Sequence, residues 1–119
     1  MKSLGDHYED RAVSVITDAG LLLLERNFRA KTGEIDLIAK DGRQLVFIEV
    51  RARSNRRFDS AAGSVNTRKQ VRIVKTAQFF LQQRPNLTNM PCRFDVLAFE
   101  PPQSGTRKRI RWIRGAFIA

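Results

Sequence analysis

Apolar residues recur along the chain with two different periods, and the points where the period changes divide it into elements. From Gly5 to Ala19 the spacing is helical. Ala12, Val13, Ile16 and Ala19 form one stripe, and Gly20 is placed to stop the helix. Glu9 lies one turn before Ala12 and Val13, so this helix carries a carboxylate on its buried stripe. Three segments of strand character follow, Leu21 to Arg29, Glu34 to Lys40 and Gln44 to Arg53, punctuated by Thr32-Gly33 and Asp41-Gly42. Residues 54–65 have no period and read as a basic, flexible loop. Asn66 or Thr67 caps a second helix that runs to about Gln83 and ends at Pro85. Its stripe is Val74, Ala77 and Leu81, with Ile73 and Phe80 beside it. A strand from Arg93 to Phe99 is closed by Pro101-Pro102. Lys108 to Ile118 makes a last, basic strand with Ile110 and Trp112 on one parity. The order α-β-β-β-α-β-β predicts an α/β (α+β) domain with a mixed sheet flanked by helices.

The hairpin brings chemistry into view. Asp-Gly between two apolar runs is a strong two-residue turn signal. With Asp41-Gly42 as the loop, Lys40 pairs with Arg43, Asp36 faces Phe47 and Glu34 faces Glu49. Glu34, Asp36, Glu49 and Arg51 then share one face of the sheet, and Ile35, Leu37, Val46, Ile48 and Val50 share the other. Asp36 and Glu49 become diagonal neighbours whose carboxylates converge, an arrangement that is unfavourable without a compensating charge. A hard divalent cation such as Mg²⁺ supplies it, because it takes one or two carboxylates together with water and substrate phosphate. Glu9 can add a third ligand. Taken singly, Glu34 and Asp36 read as a solvated face pairing with Arg51 or Lys40; taken together, these residues read as a site. Arg51 stands beside the carboxylates, where it can hold a scissile phosphate but not act as a base.

Composition narrows the partner. At 119 residues the chain has room for one core, so 1–119 reads as a single domain. The formal net charge is +10, and it is segregated: residues 1–50 carry a net −2 and residues 51–119 a net +12. Basic excess can serve solubility alone, but so marked an asymmetry points to a polyanion, with nucleic acid first and an anionic membrane surface behind it. One cysteine, Cys92, excludes an intramolecular disulfide and a cysteine metal cluster. It reads as a small core residue, remote from the single histidine, His7. The apolar runs Leu21 to Leu24 and Leu45 to Ile48 fall short of a membrane span, and no leader is evident, so the expectation is a cytoplasmic protein with no membrane partner.

Several stretches resemble a known family. The run Gly33-Glu34-Ile35-Asp36-Leu37-Ile38, followed by Leu45 to Arg53, is similar to the bacterial YraN family, whose fold resembles the PD-(D/E)xK endonucleases and Holliday-junction resolvases. Glu9, Arg26-Asn27-Phe28-Arg29, Lys69-Gln70 and Arg93-Phe94-Asp95-Val96 extend the match over nearly the whole chain. The resemblance implies a restriction-endonuclease-like fold and a Mg²⁺ or Mn²⁺ site in which Asp36, Glu49 and Glu9 are ligands together with the backbone carbonyl of Val50. The implied reaction is phosphodiester hydrolysis by metal-activated water. A homodimer is compatible with it, since the junction-resolving enzymes of that fold are dimers. The sequence departs from the nuclease pattern at Arg51, where that superfamily usually has lysine.

Asp36, Glu49, Arg51 and Glu9 are therefore the candidate catalytic residues. Arg53, Arg56, Arg57, Arg68, Lys69, Gln70, Arg72 and Lys75 are the candidate nucleic-acid contacts, with Gln70 reading equally as a capping or packing residue. Asp95 reads as a structural partner of Arg93 or Arg11. The leading function is a metal-dependent endonuclease acting on DNA, branched DNA included. The alternatives are a nucleic-acid-binding protein that keeps the scaffold without the chemistry, and an adaptor for an acidic protein.

Overall fold

The structure, a computed structural model, describes residues 3–52, 62–100 and 109–119. Helix α1 (Leu4–Asp18) begins at Ser3, whose hydroxyl accepts the Asp6 N–H while the Asp6 carboxylate accepts the Ser3 N–H. Two otherwise unsatisfied amides are thereby used. The helix stops where expected, with Gly20 at a φ of +96° that side chains resist. Strands β1 (Leu22–Ala30), β2 (Gly33–Asp41) and β3 (Gln44–Ala52) form an antiparallel meander. Helix α2 (Thr67–Gln82) is capped by the Asn66 side chain. It carries the chain across to β4 (Cys92–Glu100), which pairs parallel with β3, and β5 (Arg109–Phe117) returns antiparallel to β4. The sheet is mixed, in the order β1-β2-β3-β4-β5, with the predicted succession of elements.

Each face of the sheet buries one helix. On the α1 side Ala12 and Ile16 pack on Leu37, Ala39, Val46, Ile48, Leu97 and Phe99. On the other side Ile73, Ala77 and Phe80 of α2 pack on Phe28, Ile35, Ile38, Phe47, Phe94 and Val96. Phe80 is set edge-on to both Phe28 and Phe47. Among the described residues no helix is long and apolar enough to cross a membrane.

Two features of the hairpin differ from the expectation. The turn residues are Gly42 and Arg43, closed by Asp41 opposite Gln44, so Lys40 pairs with Leu45 and not with Arg43. Glycine occupies the first turn position at a φ of +60°. The register has moved by two residues, which leaves every side chain of β3 on its expected face. The second difference lies in β2, where Ile35 and Leu37 do not share a face: Ile35 belongs to the α2-side core and Leu37 to the α1-side core. Alternation breaks at Asp36. It breaks on β1 as well, because Phe28 packs toward α2 while Arg26 reaches Glu9 and Asp10 on α1. Arg26 pairs with Leu37 and Phe28 with Ile35, so the residue between them, Asn27, lies across from Asp36. Asn27 has a φ of +54°, the left-handed region that asparagine tolerates better than most residues.

At the far end of the sheet, buried Asp95 accepts hydrogen bonds from Arg93 Nε, Trp112 Nε1 and the Gly115 amide, while Arg93 also reaches Asp41 and Gln44. Asp95 is thus the partner of Arg93; Arg11 instead lies over the Phe99 ring. Cys92, expected in the core, is exposed at the first position of β4, its thiol donating to the Met90 carbonyl. The chain has only just entered the sheet there, and its burial begins at Phe94.

The left-handed residue gives a test. Asn27→Gly should stay within about 1 kcal/mol of the parent in urea unfolding, whereas Asn27→Val should lose about 2 kcal/mol or more, a β-branched side chain being strained at that φ. Equal stability of the two variants would show that the backbone does not need this conformation.

Candidate active site

The pairing of β2 with β3 runs from Asp41–Gln44 to Leu37–Ile48. Beyond it the Val50 amide donates to Oδ2 of Asp36 at 2.8 Å. A side chain has taken a position that a backbone carbonyl fills in a regular ladder. Strand β3 is not loosened by this, because β4 pairs with it through Glu49–Val96, Val50–Leu97 and Arg51–Ala98 to Ala52–Phe99. Asp36 is thereby held at the join of the two faces.

Carboxylates reach it from both sides. From α1 comes Glu9, and from the start of β2 comes Glu34. Glu9, Glu34 and Asp36 each offer an oxygen within 4.8 Å of the others. Glu49 is hydrogen-bonded to Asp36 as a carboxylic acid, its pKa raised to about 9 by burial first and then by the Asp36 carboxylate. The charges of Arg51 and Lys69 act in the opposite direction. The Glu9 carboxyl is also raised, by burial and then by Asp36, while Asn27 and Arg26 counteract the rise. Glu9 Oε1 is buried with no hydrogen-bond partner, the nearest cation, Arg26, standing 3.6 Å away. Hard oxygen donors from three elements, one of them unsatisfied and one kept neutral at physiological pH, fit a hard divalent cation.

Arg51 lies between two clefts that open on either side of this cluster. One, of about 280 Å³, is lined by Tyr8, Glu9 and Val50 on the α1 side. The other, of about 170 Å³, is lined by Glu34, Glu49, Lys69 and Arg72 on the α2 side. Arg51 donates Nε–H to Ser64 Oγ at 2.8 Å, which fixes its guanidinium. Arg68 is exposed on the first turn of α2. Gln70 is turned elsewhere: it donates to the Val65 carbonyl and, with Lys75, lines an apolar groove beside Ile118. Arg53, Arg56 and Arg57 fall outside the described residues.

Of the expected set, Glu9 and Asp36 meet within 4.8 Å together with Glu34; Glu49 and the Val50 amide join through Asp36, and Arg51 lines the clefts on both sides, so the grouping arises by another route than a shared face. Glu49 is on the α2 side, Val50 and Glu9 are on the α1 side, and Asp36 meets both. Sequence reasoning missed Asn27, which holds the Glu9 carboxyl down against burial, and Ser64, which holds Arg51. An asparagine inside an apolar strand was the available signal for the first. Nothing local marked the second, since the contact bridges from β3 to a residue beyond 53–61.

A family model described as Uncharacterised protein family UPF0102 matches residues 8–99. A UPF0102 protein of Janthinobacterium sp. (strain Marseille) is 46% identical over 115 residues, covering 97% of this chain and 87% of the relative. One from Stutzerimonas stutzeri (strain A1501) is 44% identical over 116 residues, covering 98% and 95%. One from Hahella chejuensis (strain KCTC 2396) is 46% identical over 114 residues, covering 96% and 89%.

The raised Glu49 pKa links stability to pH. Between the ordinary carboxylate value of 4.5 and about 9 the folded protein holds a proton that the unfolded chain has released, so stability contributed by this group falls as pH rises through that window. Thermal unfolding in chelator should show the melting temperature declining from about pH 5 to about pH 9, and Glu49→Gln should flatten the decline and raise the value at the alkaline end by about 4 °C or more. A pH profile that Glu49→Gln leaves unaltered would contradict the buried carboxyl pair.

Proposed function

Given that the chain belongs to the UPF0102 family, we propose from its own geometry that it is a nucleic-acid-binding phosphodiester hydrolase dependent on Mg²⁺ or Mn²⁺, acting on DNA, branched forms included. The observation that carries this is the convergence of Glu9 from α1 with Glu34 and Asp36 from β2, each offering an oxygen within 4.8 Å of the others, with Glu49 of β3 bonded to Asp36 beside them and Glu9 Oε1 left without a hydrogen bond.

Asp36, Glu49, Glu9 and the Val50 carbonyl are the groups that would hold the cation. When bound, such an ion supplies Lewis acidity toward phosphate oxygens and acidifies a water molecule. The rest belongs to the chain. The Arg51 fork, fixed on Ser64, is suited to two non-bridging oxygens of one phosphate. Arg68, Lys69 and Arg72 on the first turns of α2 face neighbouring phosphates, so the nucleic acid runs along that helix. In the reaction, a water oxygen bonds to phosphorus as one P–O ester bond breaks. The water gives up a proton, and the leaving oxygen takes one up.

Position 51 favours a second reading, binding without hydrolysis, because an arginine held on Ser64 cannot serve as a base. Purified protein incubated with plasmid, single-stranded and four-way-junction DNA in Mg²⁺ or Mn²⁺ separates the two. The expected result is cleavage that drops at least about 100-fold in Asp36→Ala and in Glu49→Ala, with binding retained and weakening steeply with salt. Cleavage undiminished in both variants would overturn the nuclease reading, and salt-dependent binding without cleavage would replace it with the second.

A further inference from the structure

Phosphodiester hydrolysis at a carboxylate-held cation is helped by a compact cation beside the attacked phosphate, and position 51 does not supply one. Its guanidinium is planar and its Nε is committed to Ser64. A different residue stands in the same cleft. Lys69 lines the α2-side opening together with Glu34, Glu49, Arg51 and Arg72, and its charge acts directly on the Glu49 carboxyl.

Its placement is built in by the helix. Lys69 is the third residue of α2, and its backbone N–H donates to the Asn66 side chain at 3.0 Å, so the cap that starts the helix also fixes where this lysine leaves it. The first turn of α2 holds Arg68 and Lys69 and no acidic residue. Cations there oppose the helix dipole and weaken the helix, so helix stability does not account for them. Anions facing that end do, and among the described residues Glu34 and Glu49 line the cleft that Lys69 enters.

We propose that the ammonium group of this site is supplied from the second helix by Lys69, which hydrogen-bonds the attacking water and a non-bridging oxygen of the scissile phosphate, leaving Arg51 as a fixed phosphate clamp. This rests on the hydrolase reading above. Lys69 stays protonated throughout, so no bond to it forms or breaks. A residue that only gripped distant phosphates would contribute to affinity; Lys69 contributes to the rate after binding.

The test uses the full chain with Lys69→Ala, Lys69→Arg and Asp36→Ala, each checked for an unchanged thermal transition. Single-turnover cleavage at saturating DNA in Mn²⁺ should fall at least about 100-fold in Lys69→Ala, while the dissociation constant measured in Ca²⁺ changes less than about threefold, and Lys69→Arg should recover part of the rate. A second readout needs no cleavage. With a cation removed from beside Glu49, Lys69→Ala should bind Mn²⁺ alone about threefold more tightly or better. Cleavage abolished by Asp36→Ala but within threefold of the parent in Lys69→Ala would overturn the Lys69 assignment and leave the hydrolase reading standing. So would a rate loss matched by lost DNA affinity, or an unchanged Mn²⁺ affinity. If the parent protein cleaves no substrate, the hydrolase reading fails and this assignment fails with it.

Discussion

Between Arg26 and Phe28 on one strand, and between Ile35 and Leu37 on its neighbour, the chain turns its side chains from one face of the sheet to the other. The two reversals lie opposite each other, at Asn27 and Asp36, so the strands stay paired on both sides of them. Everything at the site depends on this. In a regular strand Asp36 would belong to one face and meet carboxylates from that side only. At the reversal it lies between the faces, where Glu9 approaches from the α1 side and Glu49 from the α2 side. The left-handed residue that permits the reversal, Asn27, also lowers the Glu9 pKa against burial. One position therefore sets the backbone and tunes the charge of a ligand candidate.

The cost of gathering like charges is met by the rest of the sheet. Asp36 takes the Val50 amide out of the β2 ladder, yet β3 keeps its geometry because its other edge is paired with β4 past the site. At the opposite end Arg93 and Asp95 tie the hairpin turn, β4 and the bend of β5 into one network with the Trp112 indole. Aromatic packing around Phe47 and Phe80 lies between the two ends. A strained, charge-dense end is tolerable when the remainder of the fold is overdetermined, and here it is.

The fold was legible because each element carried both its periodicity and its punctuation. Gly20 ended α1 and Asn66 capped α2, and both did so in space. The site residues were legible because carboxylates at 36 and 49 on a hairpin can meet in more than one register. The predicted turn centre was one residue early, and the resulting shift of two residues preserved their side. Period-two arithmetic missed the reversal itself, since it assumes that no residue adopts a positive φ. With Ile35, Leu37, Ile38 and Ala39 all buried, β2 shows no alternation to betray a change of face. Cys92 was misplaced for a related reason, in that an apolar neighbourhood in sequence does not say where a strand enters the core.

Charge explains why such a centre sits on so basic a chain. A cluster of carboxylates repels phosphate, and the repulsion falls off over about 10 Å at moderate salt, the same range over which surrounding cations attract. Many of the described arginines are committed internally. Arg93 is bound to Asp95 and Asp41, Arg84 to Glu25, Arg26 to Asp10 and Arg111 to Glu100, and Arg114 is stacked on Trp112. At the start of α2 Arg68 and Arg72 are exposed, and Arg72 lines the acidic cleft together with Lys69. Among the described residues these cations form a rim on one side of an acidic centre, so a phosphate chain would be drawn to the helix first and would meet the carboxylates from that direction.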